Sequence, residues 1–363
     1  MIEYLKKKIC EGKKVFIFGI GEIGTRVSEC LSMAGVLYSG FFDNSLPQGG
    51  VYKQKVVYPL SFLSNGQQED FIVIIAVADQ ADIIKQLDGL KLFEIINYGL
   101  LPSTHYNNFP KLSFNVSEDP FVTIVITAFN SWLSTYECMK SLHDNDIQYK
   151  YEIIFVDNKS IDEVRNADNY FENIRIIHND ENLGYLRAIN KGVGLANKKS
   201  KYIILLQNDI ILTKKGTINK MIDKMESDSI IGALTGKYWH PNDNMWYTAG
   251  IYNSGSIDAK LISPVSPETE VDYLMPALIA IRKKLWDIIG GYDEAFLPTY
   301  YDDNDFCLNV IENGFKCVYF PEIECVHYHD LGFAQERRKG DLERIFKNNG
   351  EKFYKKHRKY LDK

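Results

Sequence analysis

Four short apolar runs between residues 121 and 209 alternate with polar, helix-forming segments, and each run ends in Asn or Asp. The runs are FVTIVITAFN, YEIIFVDN, IRIIHND and KYIILLQND. Continuous apolar runs of this length are typical of parallel strands buried on both faces, and the segments between them supply the crossover helices. The pattern therefore predicts an open α/β sheet whose polar side chains gather at the carboxyl ends of its strands, where such sheets bind ligands.

The first hundred residues carry a second α/β pattern. The apolar run KVFIF is followed at once by Gly19, Gly21 and Gly24, then by a helical segment, and the next apolar run ends at Asp43. Strand, Gly-x-Gly-x-x-Gly, helix, strand and acidic residue are the order of a dinucleotide-binding unit, in which the glycines let the backbone approach a pyrophosphate. Residues 1–105 are therefore predicted to form a Rossmann-like domain. Nucleotide binding stays open, because such glycines also serve plain strand-to-helix packing.

Composition narrows the class of protein. The 363 residues suffice for two domains, and the net charge of −6 argues against a nucleic-acid partner, which normally meets a basic face. No apolar stretch approaches the roughly 18 residues of a membrane span, and the start MIEYLKKKIC lacks the pattern of a signal peptide. The six cysteines are scattered without a C-x-x-C pair, which predicts reduced thiols in a cytoplasmic protein.

Two segments flank the second α/β pattern. Residues 106–119 break the periodicity with Asn, Pro, Ser and acidic residues, which is typical of a linker. A second domain is predicted over 120–335, followed by a basic C-terminal helical segment over 336–363. That segment suits either peripheral contact with an anionic membrane at the inner face or a solvated helix that packs its aromatic residues on the domain. Whether copies of the chain form a homo-oligomer is left open.

Four segments of the second domain, taken in order, resemble the inverting family-2 glycosyltransferases with a GT-A fold. They are VDNKSID, NLGYLRAINKG, YIILLQND and YYDDNDFCLNVIENGFKCVYFPEIECVHYHD. The resemblance extends over about residues 120–335 and is strongest to bacterial enzymes of surface polysaccharide synthesis, including rhamnosyl- and galactosyltransferases. It implies an α/β fold class, a Rossmann-like domain followed by a GT-A nucleotide-sugar-binding domain. It also implies a nucleotide-sugar donor, UDP-sugar first and dTDP-sugar second, and a glycan or lipid-linked glycan acceptor.

The resemblance assigns the nucleotide of the donor to the ends of the strands. Asp157 would accept a hydrogen bond from the imide N–H of a uracil- or thymine-type base. Thr127, Ala128 and Phe129 would line the nucleotide. Arg187 matches the basic residue that the family places near the base and the phosphates, although an Arg on a helix is equally well explained as a surface side chain.

A divalent cation, Mn²⁺ or Mg²⁺, would neutralise the leaving diphosphate without proton transfer. The family binds this ion with Asp-x-Asp, which is Gln207-Asn208-Asp209 in this chain. Asp209 is therefore the predicted metal ligand and Asn208 a predicted neighbour of the nucleotide, while the neutral Gln207 departs from the family pattern. The second ligand of the family is a His, which either His327 or His329 can match. Alternate residues of a strand point to the same side, so both could face the ion.

The acidic segment YYDDND matches the Glu-Asp-x-Asp of the family, ahead of a helix. Transfer with inversion needs a carboxylate that takes the proton from the acceptor hydroxyl as this hydroxyl attacks the anomeric carbon. By position Asp303 is the predicted base, Asp302 would orient the acceptor, and Asp305 would cap or brace the helix. Crowding by negative charge is expected to raise one pKa. The plainer alternative is an acidic first helical turn that interacts with the helix dipole.

Two other classes of function fit single features of the sequence. The glycine-rich start suits a nicotinamide-dependent oxidoreductase or epimerase, but this reading leaves the second domain unexplained, and no Tyr-x-x-x-Lys stands next to a suitable strand. A non-catalytic carbohydrate-binding regulator would account for the neutral Gln207. Neither alternative explains four motifs in order, so a metal-dependent glycosyltransferase is the predicted function.

Overall fold

The computed structural model describes residues 2–33, 35–64, 70–77, 83, 86–87, 90, 94–97, 110–240, 245–327 and 339–363. The chain divides into two compact units. The N-terminal unit consists of Met1–Lys111 with the short pieces Asn130–Leu133 and Ile161–Glu163, and the C-terminal unit consists of Leu112–Phe129, Ser134–Ser160 and Val164–Lys363.

The N-terminal unit is built on a six-stranded sheet. Its helices are α1 (Ile2–Cys10) and α2 (Glu22–Met33), and its strands are β1 (Lys14–Phe18), β2 (Gly40–Phe42), β3 (Gly50–Tyr52), β4 (Lys55–Val57), β5 (Phe71–Ile75) and β6 (Glu94–Asn97). The strand order is β3-β4-β2-β1-β5-β6, and every pairing is parallel except that of β3 with β4. The predicted Rossmann-like arrangement is therefore observed in this unit.

Packing accounts for two of the three glycines after β1. A Cβ atom on Gly19, whose φ is +122°, would collide with the carbonyl group of Ala76, and one on Gly24 would collide with the backbone of Gly19. The Asp43 carboxylate accepts a hydrogen bond of 2.9 Å from the N–H of Ile20 inside the glycine loop. Residues of the same unit therefore pack against this glycine loop and hold it in place. This is what the packing interpretation of the glycines predicts.

The C-terminal unit contains the remaining strands and α-helices, except that Trp132 and Leu133, at the start of one helix, belong to the N-terminal unit. Its strands are β7 (Leu112–Ser113), β8 (Val122–Ala128), β9 (Tyr151–Asp157), β10 (Phe171–Glu172), β11 (Arg175–His178), β12 (Tyr202–Gln207), β13 (Ile210–Leu212), β14 (Ile231–His240), β15 (Met245–Tyr247), β16 (Gly250–Tyr252), β17 (Ala259–Leu261), β18 (Thr269–Val271), β19 (Leu278–Arg282) and β20 (Lys316–His327). Its helices are α3 (Trp132–His143), α4 (Tyr185–Gly194), α5 (Thr217–Ser227), α6 (Lys283–Ile289), α7 (Asp302–Glu312) and α8 (Lys339–Leu361).

Ten of these strands form one sheet, and its topology positions the site. The order is β11-β9-β8-β12-β19-β14-β20-β13, with β15 paired to β14 and β18 to β20. Strands β11, β9, β8 and β12 are mutually parallel, so Asp157 and Gln207 end at one edge. Because β19 is antiparallel to both β12 and β14, and β14 is parallel to β20, His327 ends at that same edge. The predicted α/β fold class is confirmed.

Part of the segment predicted as a linker is a strand. Leu112–Ser113 pairs in parallel with Phe171–Glu172, and the side chains of Leu112 and Phe114 are buried. Polar and acidic neighbours hide these two apolar positions in the sequence, and their partner lies far along the chain. Sequence periodicity therefore gives no sign of this pairing.

Helix α8 packs against the C-terminal unit. Phe353 and Leu361 are buried in the same core as Trp286 and Phe306. The packed-helix alternative for this segment is thus what the structure shows. No helix in the described part of the chain is long and apolar enough to cross a membrane. Free thiols are found at Cys10, Cys138, Cys307, Cys317 and Cys325.

Candidate active site

The carboxylate of Asp157 is held rigidly at the end of β9. It is 2% exposed, its Oδ1 accepts a hydrogen bond of 2.8 Å from the N–H of Ser160, and its Oδ2 lies 2.9 Å from Nδ1 of His178. Nε2 of His178 lies 2.7 Å from Asp168. Burial lowers the pKa of His178, but the hydrogen bonds to Asp157 and Asp168 outweigh burial and raise it above its ordinary value. A carboxylate has about four acceptor positions, so Asp157 can accept one further donor.

Asparagine side chains join the end of β9 to the start of α4. Nδ2 of Asn158 donates to Oδ1 of Asn182 at 2.7 Å, and the N–H of Leu183 donates to Oδ1 of Asn158 at 2.9 Å. On α4, a Cβ atom at Gly192 would press against Val125 of β8, so glycine lets this helix approach the sheet closely. The NLGYLRAINKG segment is therefore a packing element that presents the first turn of α4 to the strand edge.

The residues predicted to contact the nucleotide fall into two groups. Thr127 and Ala128 are buried at the end of β8, and Ala128 is the register partner of Asp157, with Phe129 following half-buried. Arg187 instead makes an ion pair with Glu294, whose Oε2 lies 2.8 Å from its Nε atom, and both side chains are about half exposed. The structure therefore brings the end of β8 together with Asp157, whereas the Arg187 side chain points toward Glu294.

Asp209 and His327 meet at the strand edge. Oδ1 of Asp209 lies 3.3 Å from Nε2 of His327, and both residues are buried. Nδ1 of His327 lies 3.0 Å from Nε2 of His240, a residue that sequence reasoning missed. Histidines end both β14 and β20, and pairing of these strands brings the two rings together. The amide of Asn208 donates a hydrogen bond of 2.8 Å to the hydroxyl group of Thr135.

The donor set of this pair fits a divalent cation. A carboxylate and an imidazole are ligands of Mn²⁺ and Zn²⁺ in proteins, and two neighbouring ligands in octahedral geometry at about 2.1 Å from an ion lie about 3 Å apart. The separation of 3.3 Å between Asp209 and His327 is close to that value. Within the described ranges, no cluster of three or more His, Cys, Asp or Glu side chains is arranged to hold a metal. His329 lies outside the described residues.

Asp302 and Asp303 begin α7, where Asp302 is buried and Asp303 is half-buried beside Tyr273. Oδ2 of Asp303 accepts a hydrogen bond of 2.9 Å from the hydroxyl of Tyr273, and Oδ1 accepts one of 2.9 Å from the N–H of Asn304. Burial raises the pKa of Asp303 to about 6. Burial first, and then the charges of Asp303 and Asp305, raise the pKa of Asp302 well above its ordinary value. Burial thus contributes more than the crowding that the sequence suggested.

Tyr185 stands on the first turn of α4. Burial raises its pKa, and the charges of Asp302, Asp303 and Asp209 raise it further, whereas a hydrogen bond with the Gln207 side chain opposes them. The Tyr185 hydroxyl group is therefore protonated at neutral pH and can donate a hydrogen bond.

The ring centroid of Tyr292 lies 6.2 Å from that of Tyr185. The hydroxyl group of Tyr292 is buried and has no hydrogen-bond partner within the described part of the chain. Burial raises its pKa well above the ordinary value, and the charges of Tyr185 and Asp302 raise it further. A buried hydroxyl without a partner is a point at which a bound substrate or a water molecule can supply the missing hydrogen bond.

Asp305 braces α7, which is the role predicted for it. Its carboxylate lies 2.7 Å from Nζ of Lys356 and 2.7 Å from Nε2 of His357, both on α8, and it accepts a hydrogen bond from Asn309. Asp305 is fully enclosed by these partners. It is therefore set apart from Asp302 and Asp303, which have no ion pair with a basic side chain within the described residues.

Part of the chain matches a known family model, and one curated protein is similar to it. Residues 123–288 match the model of "Glycosyl transferase family 2". The "Uncharacterized protein y4gI" of Sinorhizobium fredii (strain NBRC 101917 / NGR234) is 19% identical over 236 residues, which are 60% of this chain and 25% of that protein. The chain therefore spans about a quarter of the length of this curated relative.

Two solved structures are similar in outline. The mannosyltransferase PcManGT from Pyrobaculum calidifontis, in complex with GDP-Man and Mn²⁺, is 16% identical with a TM-score of 0.45, and the match covers 67% of this chain and 66% of that one. GalNAc-T7 with UDP, GalNAc and Mn²⁺ is 14% identical with a TM-score of 0.49, and the match covers 65% of this chain and 50% of that one.

Proposed function

We propose that the chain, whose residues 123–288 match the model of glycosyl transferase family 2, is an inverting, metal-dependent glycosyltransferase. It moves a sugar from a nucleotide-sugar donor to a hydroxyl of a glycan or lipid-linked glycan in surface polysaccharide synthesis. The observation that carries the proposal is the Asp209–His327 pair at the carboxyl edge of the sheet, where a carboxylate oxygen and an imidazole nitrogen lie 3.3 Å apart. This pair would hold the cation, and the acidic first turn of α7 would supply the base.

The donor nucleotide would bind at the ends of β8 and β9. Asp157 would accept the imide N–H of the base, which favours UDP-sugars first and dTDP-sugars second, while Thr127, Ala128, Phe129 and Asn208 would line the nucleotide. His178 and Ser160 hold the Asp157 carboxylate in one orientation, so its side chain loses little conformational entropy when the base binds. Arg187 would reach the phosphates only by leaving Glu294.

Asp209 and His327 would hold a Mn²⁺ or Mg²⁺ ion, with His329 as a further candidate ligand. When bound, the ion would stabilise the negative charge of the diphosphate leaving group. For His327 to bind through Nε2, its proton must sit on Nδ1, where it can be donated to Nε2 of His240. His240 would therefore fix both the tautomer and the orientation of the His327 ring.

Asp303 would act as the base. Its carboxylate takes the proton of the acceptor hydroxyl, the acceptor oxygen forms the new bond to the anomeric carbon, and the diphosphate leaves from the opposite face with the bonding electron pair. A pKa of about 6 leaves Asp303 mostly ionised at neutral pH and still basic enough to take a proton. Asp302, the neighbour of Asp303 on the first turn of α7, would orient the acceptor hydroxyls.

The remaining parts of the chain would serve the location and assembly of the enzyme. The apolar face of α8 is packed on the domain, which leaves exposed lysines, among them Lys347, Lys355 and Lys359, for peripheral contact with an anionic membrane that carries lipid-linked acceptors. The contact would be electrostatic and would weaken at high salt. The N-terminal unit would have a structural, regulatory or partner-binding role, including formation of a homo-oligomer.

A donor screen with the purified chain tests the function directly. Release of nucleoside diphosphate from UDP-, dTDP- and GDP-sugars is measured with Mn²⁺ and with EDTA, first without and then with glycan acceptors. We expect release from one UDP- or dTDP-sugar in the presence of Mn²⁺ only, and its loss in the Asp209→Ala variant. Absence of release from every donor, or reduction of NAD instead, would argue against the proposal.

A further inference from the structure

Helix α8 lies outside residues 123–288, which match the family model. It nevertheless forms hydrogen bonds with the segment that precedes the candidate base Asp303. The side chain of Asn349 is 2% exposed, and its amide donates to the main-chain carbonyl groups of Phe296 at 2.7 Å and Thr299 at 2.8 Å. A third carbonyl, that of Tyr300, lies 3.3 Å away. A buried amide that uses both of its protons on one short segment fixes the path of that segment.

The segment held by Asn349 ends in an unusual backbone conformation. Tyr300 and Tyr301 have φ angles of +70° and +69°, in the left-handed region that residues with a side chain rarely adopt. Two such residues in succession persist only where the surroundings determine the conformation. Further contacts with α8 contribute, because the ring of Tyr301 stacks on Phe353 at 5.3 Å and contacts Phe346 at 5.1 Å.

The turn at Tyr300–Tyr301 sets the direction of α7. Tyr301 precedes the first residue of the helix and provides no side-chain cap, and the N–H of Asp305 donates to its carbonyl group at 2.9 Å. Asp302 and Asp303 follow the turn directly, so a change in the turn would rotate their carboxylates. The first turn of α7 is therefore held by the 296–301 segment rather than by a capping side chain.

Helix α8 also reaches the candidate base along a second path. The hydroxyl group of Tyr360 donates to Oδ1 of Asp272 at 2.6 Å, and the next residue, Tyr273, donates its own hydroxyl to Asp303 at 2.9 Å. Lys356 of α8 also forms an ion pair with Asp305. Helix α8 therefore contacts the turn before the carboxylates, the residue next to Tyr273, and the carboxylate of Asp305. Asn349 is the member of this set that bonds only to the main chain of the turn and to Lys352.

We propose that Asn349 is a positioning residue, which holds the 296–301 segment so that Asp303 faces the acceptor hydroxyl and Asp302 faces its neighbours. Asn349 touches neither substrate nor metal in this role, and it acts through the main chain of Thr299 and Tyr300. The proposal rests on the function proposed above, since it assigns Asn349 to the acceptor half of that same site.

The test compares Asn349→Leu with Leu361→Ala in the full chain. Asn349→Leu keeps the volume of the side chain and removes both amide protons. Leu361→Ala weakens the packing of the same helix but leaves the hydrogen bonds to the 296–301 segment intact. At a temperature where both variants are folded by circular dichroism, transfer rate, donor affinity by calorimetry and amide hydrogen exchange of residues 296–306 are measured.

We expect Asn349→Leu to lower turnover on the order of 10- to 100-fold, since a small misplacement of a reacting group has this effect. Donor affinity should stay unchanged, and exchange of the 296–306 amides should accelerate, whereas Leu361→Ala should alter neither turnover nor this exchange. Equal turnover in the two variants, or unchanged exchange in Asn349→Leu, would overturn the proposal. A wild-type chain without activity on any donor would refute the proposed function instead, and the exchange measurement would still decide whether Asn349 holds the turn.

Discussion

Nε2 of His327 lies 3.3 Å from Oδ1 of Asp209, at the point where β20 and the turn between β12 and β13 meet. The contact follows from strand register, because Ile210 pairs directly with His327 in the antiparallel β13–β20 ladder. The residue before Ile210 is therefore carried to the histidine by the sheet itself. Strand pairing thus fixes the backbone on which both side chains stand, which favours a preorganised ligand pair.

The first prediction concerns the ion at this pair. EDTA should abolish transfer, and Mn²⁺ or Mg²⁺ should restore it. Asp209→Ala should weaken donor binding as well as turnover, because Asp209 would hold the ion that stabilises the charge of the diphosphate. Calorimetry with the donor, with and without Mn²⁺, measures the binding part. An exposed acidic residue such as Asp223 provides the control, since Asp223→Ala should leave both quantities unchanged. Full activity in excess EDTA would contradict the metal-dependent mechanism.

The second prediction concerns His240, whose Nε2 lies 3.0 Å from Nδ1 of His327. Loss of a hydrogen-bond partner behind a metal-binding His typically lowers metal affinity about 10–100-fold. His240→Ala should therefore weaken Mn²⁺ binding, which the electron paramagnetic resonance signal of free Mn²⁺ measures without any turnover. His240→Gln keeps an acceptor and should retain more of the affinity. The exposed His143 serves as control, and equal affinity in His240→Ala and His143→Ala would remove His240 from this role.

The strand-end acids could be predicted from sequence, and their neighbours could not. The positions of Asp157 and Asp209 follow from continuous apolar runs, because a run that ends in a polar residue marks the carboxyl end of a buried strand. His178 ends the run IRIIHND at the same edge, and the pairing of β11 with β9 brings it to Asp157. His240 instead reaches the site through the pairing of β14 with β20, and His240 and His327 are 87 residues apart in the chain. The run before His240 looks no different from that of any other buried strand, so only the register of the sheet reveals its place.

The packing of the C-terminal helix α8 could not be predicted from its sequence either. Its sequence is basic and aromatic, which fits a membrane surface as well as a packed helix. The structure shows that Phe353 and Leu361 belong to the core and that Asn349 bonds to the turn before α7. A single Asn in a helical segment forms no sequence pattern from which its three carbonyl partners elsewhere in the chain could be predicted. Likewise, nothing local in the sequence pairs Arg187 with Glu294.

The third prediction concerns the stability that His178 provides. Its pKa is raised in the folded chain, so its bonds to Asp157 and Asp168 are strongest when it is protonated. This contribution should be complete below the ordinary His pKa of about 6.5 and should disappear as pH rises through the higher folded pKa. The difference in melting temperature between wild type and His178→Gln should therefore shrink as the pH rises from about 6 to about 9. Calorimetry at several pH values measures this difference. A difference that grows with pH would show that the ring is neutral in the folded chain.

The fourth prediction concerns Tyr273, whose hydroxyl donates to the Asp303 carboxylate. This hydrogen bond lowers the pKa of Asp303, although burial raises it overall to about 6. Tyr273→Phe removes the hydrogen bond and should raise that pKa further, so the acid limb of the pH–rate profile should move to higher pH. Tyr149→Phe removes a surface hydroxyl and should leave the limb in place. An unmoved limb in Tyr273→Phe would mean that the limb reports another group.

The fifth prediction concerns Asp303 itself. Asp303→Asn keeps the shape of the side chain but cannot take a proton, and removal of a positioned general base typically costs about 10²–10⁴-fold in rate. Donor affinity, measured by calorimetry, should barely change, because the base faces the acceptor and not the diphosphate. Asp302→Asn is the matched comparison, and it should raise the KM of the acceptor with a smaller loss of turnover.

Stability separates this loss of base from a loss of fold. The pKa of Asp303 is raised in the folded chain to about 6, above the unfolded value. Ionisation therefore destabilises the folded state at neutral pH, and this cost disappears below an unfolded value of about 3.9. Asp303→Asn should accordingly melt no lower than wild type at pH 7 while its turnover collapses. Near-wild-type turnover in Asp303→Asn with loss in Asp302→Asn would move the base one residue upstream, and retained turnover in both would eliminate a carboxylate base from this pair.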